Sequence, residues 1–210
     1  MKLKYKIIAI AVAGMFAGAA AAQSGSSSKV NAQDLNQNQA GLLNQQSMDL
    51  GNAKAGGKSN VTVKGVSQSQ AGLLNAQKLS IGNAEGKGSS SKVNAQNVRQ
   101  NQAGLLNNQE MAIGNASGGG KSNVTAKNIS QNQAGLLNNQ KMEIGSAASK
   151  GQSKVNASNI SQSQAGLLNN QQMGIGNAAN GGKSDVTIKG ATQSQAGLLN
   201  DQKMNVGNAQ

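Results

Sequence analysis

The chain lacks cysteine, proline, histidine and tryptophan, and its only aromatic residues, Tyr5 and Phe16, lie within the first sixteen positions. Each absence excludes a chemistry. Without cysteine there is no disulfide and no thiol nucleophile; without histidine there is no imidazole base and no zinc site of the usual kind. Only seven carboxylates are spread over 210 residues. What the chain holds instead is amide: 53 Asn and Gln together, with 28 Gly, against 12% charged residues. Such a composition points to assembly rather than catalysis, so no enzyme activity, cofactor or metal site is expected.

Residues 1–22 read as a secretory signal peptide. Lys2, Lys4 and Lys6 form a basic start, Ile7 to Gly18 an apolar stretch of twelve residues, and Ala20 and Ala22 suit cleavage before Gln23. The apolar run is shorter than the roughly 20 residues that a spanning helix needs. The expected mature chain is therefore secreted, has no aromatic residue, and carries a charge of +9.

Residues 23–210 are six copies of one unit, approximately 28–58, 59–89, 91–121, 122–151, 153–183 and 184–210. The string Gln-Ala-Gly-Leu begins at Gln39, Gln70, Gln102, Gln133, Gln164 and Gln195, at spacings of 31, 32, 31, 31 and 31 residues. A fixed period of this size marks a solenoid, in which each unit buries its face on its neighbours. Every unit opens with Val (Val30, Val61, Val93, Val124, Val155, Val186). Its second arm fixes alternate residues, as in Asn107, Gln109, Met111, Ile113 and Asn115, while Asn108, Glu110 and Ala112 vary between units. A period of two means β-strand, with the fixed face inward.

In the first arm one residue breaks the alternation. It is Asp34, Gly65, Asn97, Asn128, Asn159 or Gly190, the types that best tolerate a left-handed backbone, so a bulge or bend is expected there. The Ala-Gly pair at Ala40-Gly41 and its equivalents supplies the turn between arms. The fold class is thus all-β: a flattened, cross-β solenoid of stacked arches, six coils of about 31 residues. Gly118-Gly119-Gly120-Lys121-Ser122 resembles part of a phosphate loop, but no helix pattern follows, and it reads as a turn between coils.

Few large aliphatics are available to the core, so the stack needs polar stabilisation as well. In-register stacking places like amides about 4.8 Å apart, where they form ladders. Four ladders are expected. The first two are Gln37, Gln68, Gln100, Gln131, Gln162, Gln193 and Gln39, Gln70, Gln102, Gln133, Gln164, Gln195. The others are Asn44, Asn75, Asn107, Asn138, Asn169, Asn200 and Gln46, Gln77, Gln109, Gln140, Gln171, Gln202. Charge follows the same logic. The series Lys29, Asn60, Lys92, Asn123, Lys154, Asp185 never sets lysine beside lysine. Neither does Gln33, Lys64, Gln96, Lys127, Ser158, Lys189, nor Ser47, Lys78, Glu110, Lys141, Gln172, Lys203. Because the unit count is even, unit six placed on unit one of another molecule continues all three series. No distinct cap sequence precedes Lys29 or follows Ala209, so the chain is expected to polymerise with itself, end to end.

The motif Gln39-Ala40-Gly41-Leu42-Leu43-Asn44 and its five equivalents, behind a signal peptide, resembles the tandem repeats of curlins, the subunits of bacterial functional amyloid. Here Gln46 and Leu50 occupy the places after the Asn, and the unit is longer. The resemblance implies an extracellular, cell-surface fibre of pilus type, used for biofilm matrix and cell adhesion. It also implies export through a dedicated outer-membrane channel and nucleation by a minor subunit. The rival reading is a monomeric secreted repeat adhesin or polysaccharide-binding solenoid. Strand alternation turns one leucine of Leu42-Leu43 outward, whereas a tucked turn hides both. An ice-binding face is disfavoured, because Thr62, Thr125 and Thr187 occur only in alternate units. With no aromatic to stack on bases, the positive charge supports only weak attraction to extracellular DNA or acidic polysaccharide.

Overall fold

The computed structural model describes residues 27–54, 57–86, 88–118, 120–148, 151–179 and 182–209. The expected signal peptide lies outside the described residues, as does the Asn44 side chain. Nine strands follow one another: β1 (Ser27–Asp49), β2 (Asn52–Ala53), β3 (Lys58–Ala84), β4 (Ser90–Ala116), β5 (Lys121–Ala147), β6 (Gln152–Ala165), β7 (Leu168–Ala178), β8 (Lys183–Ala196) and β9 (Leu199–Ala209). All pairings are parallel, in the order β1-β3-β4-β5-β6-β8, with β2 on β3 and β7 between β5 and β9. The fold is a β-solenoid whose coils stack like on like. Val61 faces Val93, Val93 faces Val124 and Val124 faces Val155. The one 32-residue step separates β3 from β4, and its extra residue falls in the connection 85–89.

The alternation seen in sequence is the alternation of burial. In β3, Val61 and Val63 are buried while Thr62 and Lys64 are exposed, and after the break Val66, Gln68 and Gln70 turn inward. The break is the expected left-handed residue: φ is 51° at Asp34, 71° at Gly65, 54° at Asn97, 56° at Asn128, 55° at Asn159 and 76° at Gly190. Asn tolerates this region better than other residues with a Cβ. Its side chain adds a tie along the stack, since Asn128 donates to Asn97 and Asn159 to Asn128, each at 2.9 Å.

A second break went unread in the sequence. Simple alternation carries Asn115 and its equivalents onto the inward face, but the structure leaves Asn115 half-buried and buries Ala116 instead. Gly114, with φ of 78°, shifts the parity. A Cβ there would collide with Val124 of the next coil, so only glycine lets that valine close over the corner.

The core is one apolar column set running the length of the stack. Val61, Val66, Leu79 and Ile81 of one coil lie beneath Val93, Val98, Met111 and Ile113 of the next. Each coil alone offers too few apolar groups to offset backbone ordering of about 1–2 kcal/mol per residue, and stacking makes the difference.

One column contains a flaw that yields a prediction. Asn83 donates to Asn52 at 2.9 Å and Asn115 to Asn83 at 3.2 Å, but the next coil places Ser146 opposite Asn115. The shorter side chain leaves Asn115 Oδ1 buried without a partner. Ser146→Asn restores a donor, and we expect a gain of about 1 kcal/mol, read as a higher urea midpoint.

Candidate functional site

Among the described residues no three His, Cys, Asp or Glu side chains gather to hold a metal ion, and the candidate site is the set of stacked amides and the two faces where they end. In the Gln37 column, Gln68 donates to Gln37 at 2.7 Å, Gln100 to Gln68 at 2.7 Å, Gln131 to Gln100 at 2.7 Å, Gln162 to Gln131 at 2.8 Å and Gln193 to Gln162 at 2.8 Å. The Gln39 column runs the same way, through Gln70, Gln102, Gln133, Gln164 and Gln195, at 2.7 to 2.9 Å. From Gln68 onward in the first column, and from Gln102 onward in the second, the other amide hydrogen crosses to the other arm. Gln131 donates to Lys141 O at 3.2 Å, and Gln133 to Asn139 O at 3.1 Å. These amides therefore tie coil to coil and arm to arm together, which is what makes their burial tolerable.

The Asn column runs in the opposite sense. Asn75 donates to Asn107 at 3.0 Å, and Asn107, Asn138 and Asn169 each donate forward at 2.8 Å, ending on Asn200. Each also reaches a turn carbonyl of the following coil, as Asn107 does to Ala134 O at 3.0 Å. That reach requires the turns to pack closely. A Cβ on Gly135 would overlap the carbonyl oxygen of Gly104 beneath it, so the glycine of the Ala-Gly pair is set by approach between coils. The Gln46 column departs from expectation at its first member. Gln109 donates to Gln77 at 3.2 Å, and Gln140, Gln171 and Gln202 continue at 2.9 to 3.0 Å. Gln77, however, turns across the core to Gln68 at 3.3 Å, and Gln46 turns likewise to Gln37 at 3.1 Å. At the first step of the stack, the partner across the core replaces the partner along it.

The turn also corrects a reading of the leucines. Neither one-in, one-out nor both-in holds: in the four inner coils both members of the pair are between 40% and 47% exposed. Amides fill the inside of this corner, and the convex side carries two leucines in succession. The string at Gly118 to Ser122 leads into a strand: Lys121 opens β5, and Ser122 donates to Gly114 O at 3.0 Å.

The register sets the three charge series in columns along the stack, so that no lysine in them faces a lysine. A fourth column behaves the same way: Ser27, Lys58, Ser90, Lys121, Gln152, Lys183. Each avoided lysine pair saves roughly 1 kcal/mol in water and more near protein. Lys154 and Asp185 pair across coils at 3.5 Å, and Lys141 pairs with Glu143 along its strand at 2.8 Å. The hydrogen bond that Lys141 donates to Glu143 holds its ammonium above the usual lysine value, against the opposing effect of partial burial.

The last coil is open. Met204 and Val206, which continue fully buried columns, are 40% and 48% exposed, and Val186, Ile188 and Ala191 are only partly covered. In the first coil Val30, Ala32 and Leu35 are likewise partly covered, whereas Met48 and Leu50 are buried. Comparison of the chain with protein families, curated proteins and solved structures finds no match.

Proposed function

We propose that the mature chain is a secreted structural subunit that stacks coil six on coil one of the next molecule, building an extracellular cross-β fibre. The observation that carries this reading is the open last coil. Its apolar columns end half-exposed at Met204 and Val206, and a sheet edge in that state is a template for another strand. The ladders support it. In every earlier coil the oxygens of the Gln37 and Gln39 columns accept from the coil that follows, and among the described residues no further coil donates to Gln193 and Gln195. A second molecule in the same direction supplies Gln37 and Gln39 as donors. One in the reversed direction sets acceptor against acceptor. The joint also suits the charges, since Asp185 meets Lys29 as it already meets Lys154, and Lys183, Lys189 and Lys203 meet Ser27, Gln33 and Ser47.

The resemblance of the Gln39–Asn44 motif to curlin repeats extends the proposal to a cell-surface fibre of biofilm matrix. Such a fibre is exported through an outer-membrane channel and started by a minor nucleating subunit. The lysine columns would give it a weak, salt-sensitive hold on acidic polysaccharide or extracellular DNA, multiplied along its length. The test is direct. Incubated alone, the chain from Gln23 onward is expected to form fibres visible by electron microscopy, with a meridional reflection near 4.7–4.8 Å. Fragments added as seeds should abolish the lag. A chain that stays monomeric for days at high concentration overturns the proposal.

A further inference from the structure

The exposed leucines form two rows along one edge of the solenoid, and beside the second row runs a groove of about 840 Å³. Leu74, Leu106, Leu137, Leu168 and Leu199 line it on one side, and Ala76, Asn108, Asn139 and Asn170 lie along it. We infer that this edge is a lateral pairing surface, and that its occupant is a second copy of the same stack. The inference rests on the end-to-end stacking proposed for this chain.

Two observations select the occupant. The first is charge. The six equivalent stretches that bring the chain into the turn and out again (35–45, 66–76, 98–108, 129–139, 160–170 and 191–201) contain only Arg99 and Asp201 among the charged residues. Their net charge is zero, so the whole +9 of the mature chain resides elsewhere on the coil. Two copies that repel one another where the lysines lie can approach along this edge, which adds no net charge of its own. The second is the repeat. Leucines recur once per coil, about every 4.8 Å, and a partner must match that spacing to place an apolar group in each gap. An α-helix advances about 5.4 Å per turn and drifts by roughly 3 Å over five coil steps, more than half a repeat. Another copy of this stack matches at every coil, and the same surface serves on both sides, as two-fold pairing requires.

Area sets the scale at which pairing holds. Six coils span about 29 Å, and the two arms lie about 10 Å apart, so one molecule offers roughly 300 Å². A stable interface takes about 800 Å² from each partner, which three consecutive molecules supply. Single chains pair weakly and stacked chains firmly.

The experiment measures mass per unit length by scanning transmission electron microscopy, on the wild-type mature chain and on the triple variant Leu106→Asn, Leu137→Asn, Leu168→Asn. The wild type is expected to show two chains per roughly 29 Å of fibre. The variant, altered only at exposed positions, should show half that value and keep its 4.7–4.8 Å reflection. Wild-type fibres of single mass refute the pairing while leaving end-to-end stacking intact, as do variant fibres of unchanged mass. If such single-mass fibres instead float with phosphatidylcholine vesicles in a leucine-dependent manner, the groove faces lipid and the inference falls. Should no fibre form, the stacking proposal fails by itself. Sedimentation of the soluble chain then decides: a concentration-dependent dimer absent from the triple variant upholds pairing, and a profile indifferent to the leucines overturns it.

Discussion

Met204→Lys combined with Val206→Lys is expected to abolish growth of the fibre while leaving the single molecule folded. Both side chains lie at least 40% exposed on the last coil. In the lone molecule the lysine stems can lie over Met173 and Ile175 beneath them, with the ammonium groups in water at the open edge. At a joint the first coil of the next molecule, in which Val30, Ala32 and Leu35 are only partly covered while Met48 and Leu50 are already buried, closes over the last coil and removes both cations from water. An unpaired buried charge costs several kcal/mol, and two of them slow addition by well over a hundredfold. The far end of the variant is untouched. It still docks on the last coil of a wild-type molecule and then presents its lysines, so small amounts added to growing wild-type fibres should stop one tip and spare the other. Far-ultraviolet circular dichroism verifies the fold, and seeded extension followed tip by tip reads the block. A double variant that extends at the wild-type rate would remove the last coil from the joint.

The solenoid was legible in the sequence because its ingredients are periodic. The 31-residue spacing, the alternation about Val61 and Val63, and the left-handed residue that breaks it all recur six times with residue types whose backbone preferences are known. The columns of amides and lysines follow once copies are laid one on another. What could not be read is whatever depends on a corner or an end. Gly114 looks like a weak strand residue until Val124 is seen closing over it. Leu105 and Leu106 sit where the chain turns, and alternation does not hold on the convex side of a turn. The opposed senses of the Gln and Asn ladders depend on which carbonyl each amide also reaches: the opposite arm for Gln131, the turn of the next coil for Asn107. Gln46 donates across the core to Gln37 and Gln77 to Gln68, an exchange of partners at the first step of the stack that identical repeats cannot express.

The ladders themselves face their hardest test at Gln131, which is completely buried. It donates to Gln100 Oε1 at 2.7 Å and to Lys141 O at 3.2 Å, and accepts from Gln162 at 2.8 Å. Gln131→Ala deletes all three bonds, leaves Gln100 Oε1 without its donor and opens a void. Those losses together should cost about 3–5 kcal/mol, read as a fall in the denaturant midpoint. Alanine alone does not separate lost volume from lost hydrogen bonds, but Gln131→Glu does. The two side chains share a shape, and a neutral carboxyl can still donate to Gln100 while accepting from Gln162. Ionised, it sets a buried anion against the Gln100 oxygen, so burial raises its pKa in the folded state above the unfolded value of about 4.3. Below about pH 4 both states are protonated and the variant should approach wild-type stability. As pH rises from there toward the elevated folded pKa the unfolded state alone releases its proton, and stability falls by several kcal/mol. The denaturant midpoint of Gln131→Glu, followed from pH 3 to pH 8 beside the wild type, should show that decline. A midpoint parallel to the wild type across the range would mean that the column holds its place by shape, with its hydrogen bonds contributing little.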